Sequence, residues 1–198
     1  AKRLIGRSYR TAPKWSVNGK WAVMYDPIAQ VWNKFDGATG KVVNISDAIG
    51  YPMFMESYDK PAPAPAYGIA GWTADGNNVF LYDAYDWWKI DLTGERQPEC
   101  LTKGYGRKHG KSIRKMTSNI DKDVFQKDEK VIVSLWDKDT MDEGVYQLDM
   151  KGRLRKLMEG NYVYTIHRFS DNHEYCVWNR QNVSEFRDLW WSKRSEST

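Results

Sequence analysis

The stretch WTADGNNVFLYD, residues 72–83, decides the fold. Trp72 precedes a polar turn, in which the Asp75 side chain can bond its own backbone and Gly76 can take a positive φ. The turn runs into Val79-Phe80-Leu81-Tyr82, a β-branched and aromatic run of the kind strands favour. The same order of aromatic, turn and strand occurs three more times: WSVNGKWAVMYD from Trp15, FQKDEKVIVSLW from Phe125 and FSDNHEYCVWNR from Phe169. The four anchors are 57, 53 and 44 residues apart. Periods of about 40 to 50 residues are those of propeller blades.

Each copy continues into a second half, an aromatic strand ending in a tight hairpin and then a short strand. The first three are VWNKFDGATGKVVNIS (31–46), WWKIDLTGERQPECLT (87–102) and VYQLDMKGRLRKLME (145–159), turning at Gly40, Gly94 and Gly152. The fourth copy supplies DLWWSKRSEST (188–198). Glycine at these turns provides the backbone a tight hairpin needs. No segment combines 3.6-residue apolar periodicity with caps at both ends. The chain is therefore predicted to be all-β: about four four-stranded antiparallel β-propeller blades, at about 10–60, 68–115, 120–160 and 162–198.

Composition agrees. Ten Trp and twelve Tyr in 198 residues favour strands, and 41% hydrophobic with 28% charged residues fits a globular chain. A net charge of +4 argues weakly for any polyanionic partner. No apolar stretch approaches the roughly 20 residues that span a bilayer. With Ala1 at position 1, the start reads as trimmed, and the lack of a leader pattern says nothing about compartment. Cys100 and Cys176 read as two buried thiols rather than a disulfide.

Two insertions interrupt the blades. YPMFMESYDKPAPAPAY (51–67) holds four prolines and should be extended, outside any central strand. KGYGRKHGKSIRK (103–115) reads as a glycine-rich loop with six Lys or Arg.

Catalytic chemistry finds no foothold. A serine-hydrolase elbow needs G-x-S-x-G, which is absent; Ser112, flanked by Lys111 and Ile113, reads as structural or solvent-exposed. Of His109, His167 and His173, the last is followed by Glu174 but not by a second His four residues on, so the zinc-protease motif fails. The acidic run Asp137, Asp139, Asp142, Glu143 departs from a calcium loop, with Met141 at position five, and reads as a solvated hairpin. Asp83 and Asp86 read as turn caps on backbone amides. The predicted chain has no catalytic residues, metal or cofactor. The basic loop could meet phosphate, but Asp121, Asp123, Asp128 and Glu129 follow closely and dilute its field, so no nucleic-acid partner is expected.

Three stretches carry a family likeness: PAPAYGIAGWTADGNNVFLYDAYDWWKIDLTGE (63–95), GYGRK (104–108) and HRFSDNHEYCVWNRQNVSEFRDLWWS (167–192). They resemble the N-terminal β-propeller region of bacterial prolyl oligopeptidase / dipeptidyl-peptidase family serine peptidases, residues 64–91 most specifically. The likeness runs from about Lys14 to Ser192. It implies a propeller of seven or eight blades, of which this chain is a part. Such a propeller covers an α/β-hydrolase domain that holds the catalytic triad and follows in sequence. It also implies a periplasmic or secreted location and peptide substrates. On this likeness Arg107 would meet a peptide carboxylate, and Glu56 and Asp59 a peptide amine.

The leading expectation is a non-catalytic propeller portion that gates peptide access to, and packs on, that hydrolase domain. An alternative is a stand-alone module binding carbohydrate or peptide through exposed Trp. Trp87-Trp88 and Trp190-Trp191 suggest it, because adjacent strand residues point to opposite faces. A third is an assembly scaffold. Four blades of a larger propeller leave open edges, which two copies would cover, as a homodimer or a closed eight-blade ring.

Overall fold

In the computed structural model the described residues are 12–116, 123–172 and 174–193; His173 and Asp121 lie outside them. β1 (Lys14–Trp15), β2 (Trp21–Asp26), β3 (Val31–Asp36) and β4 (Val42–Asn44) form an antiparallel meander in that order. β5 (Ile69–Thr73), β6 (Asn78–Tyr82), β7 (Trp87–Asp91) and β8 (Glu99–Cys100) repeat it. One helical turn, α1 (Tyr105–Lys108), precedes β9 (Lys111–Lys115) and β10 (Val124–Phe125). β11 (Lys130–Asp137), β12 (Glu143–Asp149) and β13 (Leu154–Gly160) join β9 in the third sheet, in the order β13-β12-β11-β9. β14 (Val163–Phe169), β15 (Tyr175–Gln181) and β16 (Asp188–Lys193) make the fourth, of three strands. The fold is all-β, built from antiparallel meanders of the β-propeller blade type.

Three of the four anchors open the same turn, and its chemistry explains why the sequence repeats. Thr73 Oγ1 accepts the Asn78 N–H at 3.0 Å and donates to Asp75 Oδ1, which also accepts the Asn77 N–H at 2.9 Å. Ser16 and Asn18 do the same beside Trp21, and Ser170 and Asn172 beside Tyr175. One hydroxyl thus bridges the entering and leaving strands while an acidic or amide oxygen holds the bend.

The third copy departs from this pattern. Gln126 stands where the others carry Ser or Thr, and Phe125 does not begin the third sheet. β10 pairs with β5 in parallel, Val124 opposite Trp72 and Phe125 opposite Thr73, which makes the second sheet five-stranded. The reason is packing: Phe125 is 3% exposed, its ring 5.7 Å from Phe80 and 6.2 Å from Trp87. The first strand of the third sheet is instead β9, taken from the segment read as a basic loop and assigned to the second blade. Ile113, opposite Leu135 and fully buried, seats it.

The described chain falls into two compact units, 1–100 with 124–126, and 101–123 with 127–198. In the first, Trp21, Val23, Tyr25 and Trp32 of one sheet pack with Trp72, Val79, Leu81 and Ile90 of the other. In the second, Ile132, Val145, Leu157 and Met158 pack with Tyr164, Ile166, Phe169, Cys176 and Trp178. At about 1.5–3 kcal/mol per large apolar side chain removed from water, these inter-sheet layers are the main stabilising term.

Candidate functional site

In the first unit the proline-rich insertion is a pinned excursion. Phe54 bridges Ala66, Met55 N–H donates to Pro65 O at 2.9 Å, and Met53 is buried in the core. From β2, the Tyr25 hydroxyl donates to Ala64 O at 3.1 Å. Burial, and then the neighbouring Asp26 charge, push the Tyr25 phenol up to about 12. Glu56 and Asp59 are both exposed on this excursion, and the Glu56 N–H donates to the Tyr67 hydroxyl at 3.4 Å. Sequence reasoning gave the excursion but not its anchor, since Tyr25 reads as one more strand aromatic.

At the base of the excursion lies an aromatic pair, Tyr51 and Trp88, with ring centroids 6.1 Å apart. Tyr51 is 44% exposed. Trp88 is half-buried and donates its indole N–H to Asp83 Oδ2 at 3.1 Å. Asp83 is itself fully buried, and its other oxygen accepts the Tyr85 and Asp86 N–H groups. It caps a turn and fixes an aromatic. Trp87, next in the chain, points inward and is fully buried. Exposed carboxylates can hold a cationic group by charge, and an aromatic pair can stack on a ligand.

In the second unit Arg107 sits half-buried in α1. Beside it His109 stacks on Tyr105, centroids 4.3 Å apart. Three of the other five Lys and Arg of this segment are engaged: Lys111 with Glu159 at 2.6 Å, Lys115 with Asp123 at 2.8 Å, and Arg114 with the Ile113 carbonyl at 2.7 Å. Glu159 also accepts from Tyr146 at 3.0 Å and Lys156 at 3.2 Å. The Lys111 hydrogen bond above all holds the Glu159 carboxyl down at about 2. In turn it holds the Lys111 ammonium above its ordinary range. Burial, and then Glu159, raise the Tyr146 phenol. This network ties β9, β12 and β13 together; Lys111 and Glu159 lie 48 residues apart, and no local motif announces it.

No family model matches the chain. No curated protein matches it either. Among solved structures it is similar to a protein assigned as TolB from Agrobacterium tumefaciens, at 13% identity and a TM-score of 0.49, covering 94% of this chain and 59% of that one. TolB from Acinetobacter baumannii gives 11% and 0.48, over 95% of this chain and 42% of that one. The β-propeller domain of the Trilobed protease from Pyrococcus furiosus gives 11% and 0.39, over 94% and 67%. The chain thus spans less than two thirds of each of the two TolB chains.

The remaining sequence candidates have structural surroundings. Ser112, 8% exposed in mid-β9, lies opposite Trp136. His167 Nε2 lies 2.7 Å from Asn179 Nδ2. Asp137 accepts the N–H groups of Asp139 and Thr140, and those bonds, Thr140 first, lower its carboxyl range. Glu143 is pushed up by burial while accepting the Tyr164 N–H at 2.8 Å. Among the described residues no cluster of three or more His, Cys, Asp or Glu could hold a metal. Cys100 and Cys176 form no disulfide, and Cys176 is buried while Cys100 is only partly so. No helix among the described residues is long and apolar enough to cross a membrane.

Proposed function

We propose that this propeller module is the non-catalytic portion of a periplasmic or secreted serine peptidase, gating peptide access to an α/β-hydrolase domain and packing on it. The observation that carries the reading is the run 64–91, whose residues resemble that family. It spans the Ala64 carbonyl that anchors the insertion, the inner strands of the second sheet and the Trp88 that packs on exposed Tyr51. Glu56 and Asp59 then meet a peptide amine, and Arg107 a peptide carboxylate, each by charge-assisted hydrogen bonds.

Sequencing the gene beyond Thr198 tests the family reading: further blades followed by G-x-S-x-G, then Asp and His, support it, and a stop codon there overturns it. Titrating a fluorescent peptide with a free amine tests the residues. Glu56→Gln with Asp59→Asn should weaken binding about tenfold, near 1.4 kcal/mol; unchanged binding removes both from the site. A second reading, a stand-alone module for carbohydrate or peptide, is favoured by the exposed Tyr51 packed on the half-buried Trp88. It predicts quenching of Trp88 fluorescence by an oligosaccharide and no hydrolase downstream.

A further inference from the structure

Two opposite charges in the second unit flank Tyr164 without pairing to each other. Arg180 of β15 is half-buried, its guanidinium carbon 4.3 Å from the centre of the Tyr162 ring and 4.9 Å from that of Trp190. Such stacking fixes the guanidinium fork but uses none of its N–H donors. Glu143 of β12 is also half-buried, and its Oε2 accepts the Tyr164 N–H at 2.8 Å. Among the described residues neither Arg180 nor Glu143 has an ion-pair partner. Tyr164 links the two, because it is paired with Arg180 across β14 and β15 and bonded by Glu143 from the third sheet. Burial raises the Tyr164 phenol, while the Arg180 charge lowers it and the Glu143 charge raises it further. Both charges therefore reach one ring.

A charge taken partly out of water ordinarily meets an opposite one, since desolvation is otherwise uncompensated. Here neither group reaches the other without loss. Arg180 would leave two aromatic rings, and Glu143 would leave the Tyr164 N–H without its acceptor. The acids nearest Arg180 do not neutralise it: Asp188, opposite on β16, is exposed, and Glu185 accepts the Tyr162 hydroxyl at 2.8 Å. Their charge disfavours a dianion such as phosphate far more than a ligand that carries a positive charge of its own. Beside Glu143, its cross-strand partner Trp136 is 40% exposed and offers an aromatic surface to an ammonium group. Arg180 shares the inward face of β15 with Cys176 and Trp178, which pack against the third sheet, and β14 and β16 flank its strand. A further sheet on the outward face would leave this arrangement as it is.

We propose that Arg180 and Glu143 form a binding site for a zwitterion, an α-amino acid or a short peptide, whose carboxylate meets the Arg180 fork and whose ammonium meets the Glu143 carboxylate. Both contacts are charge-assisted hydrogen bonds, and each supplies the opposite charge that the protein group lacks. The site lies within the second unit and is independent of the peptidase reading, whose peptide contacts are Glu56, Asp59 and Arg107.

Isothermal titration calorimetry on the purified chain tests it with L-leucine and L-alanyl-L-leucine, each beside its N-acetyl and its amide form. The zwitterions should bind saturably, and the forms with a single charge about tenfold or more weaker. Arg180→Gln should weaken the zwitterions by a similar factor and leave the amides unchanged, whereas Glu143→Gln should spare the N-acetyl forms. Glu143→Gln keeps an acceptor for the Tyr164 N–H, and melting curves check that both variants fold. Should either fail to fold, the comparison of ligand forms decides alone. Preference for leucine sets the two charges one residue apart and preference for the dipeptide two, and either supports the proposal. No saturable heat from either zwitterion up to about 10 mM overturns it. So does binding that the singly charged forms match, or that both substitutions leave intact.

Discussion

Tyr25 shows how one phenol can hold a whole insertion. Its hydroxyl reaches the Ala64 carbonyl from a strand whose residues are otherwise buried. Tyr25→Phe keeps the ring in the core and removes only the donor, so it should cost about 1 kcal/mol of stability. Chemical denaturation measures that loss, and faster proteolysis within 55–65 should accompany it. The same phenol sets an alkaline limit. Because its folded value is raised from 10.0 to about 12, the fold favours the neutral form. Its contribution is fully present below pH 10 and is lost as pH rises through 12. In Tyr25→Phe that part of the alkaline decline should vanish. Gly152 is constrained differently. Its φ is +79° and a Cβ there would lie 1.8 Å from the Leu101 carbonyl oxygen, a backbone atom that cannot step aside. Gly152→Ala should therefore destabilise by about 2 kcal/mol or more, read as a lowered melting temperature.

Among elements, the hydroxyl turns and the β9 clamp behave in opposite ways toward sequence reading. The turns are local: aromatic, hydroxyl and Asp or Asn sit within a few residues of the strand they start, so Trp15, Trp72 and Phe169 mark their sheets directly. β9 has one apolar residue, Ile113, among four polar or cationic ones, and it becomes a strand only through Leu135 and Glu159 far along the chain. Phe125 looked like the other anchors because an aromatic before a turn reads the same whichever sheet it joins. Only the cluster with Phe80 and Trp87 settles which. The candidate site shares this limit. The exposed Glu56 and Asp59 were legible as charges on a proline-rich excursion, whereas the Tyr51–Trp88 pair and its Asp83 support are visible only in three dimensions. The clamp has a pH signature of its own. The Glu159 carboxyl, held below its ordinary 4.5 at about 2, stabilises the fold above pH 4.5, and that contribution is lost as pH falls toward 2. Glu159→Gln should flatten the melting temperature across this window, while the wild-type chain loses stability there.

For the whole molecule, the buried layers between sheets carry the stability of each unit separately. The placement of β10 bears on how the chain is partitioned. Residues 124–126 belong with 1–100, while 101–123 and 127–198 form the other unit. The polypeptide therefore passes from one unit to the other three times, and no single linker separates them as a simple domain boundary would. A fragment ending at Cys100 would carry Phe80 and Trp87 without the ring that completes their cluster. The matching fragment from Leu101 onward would carry a phenylalanine evolved for a pocket it lacks. Neither unit is one continuous stretch of chain, so no single cut releases either of them whole.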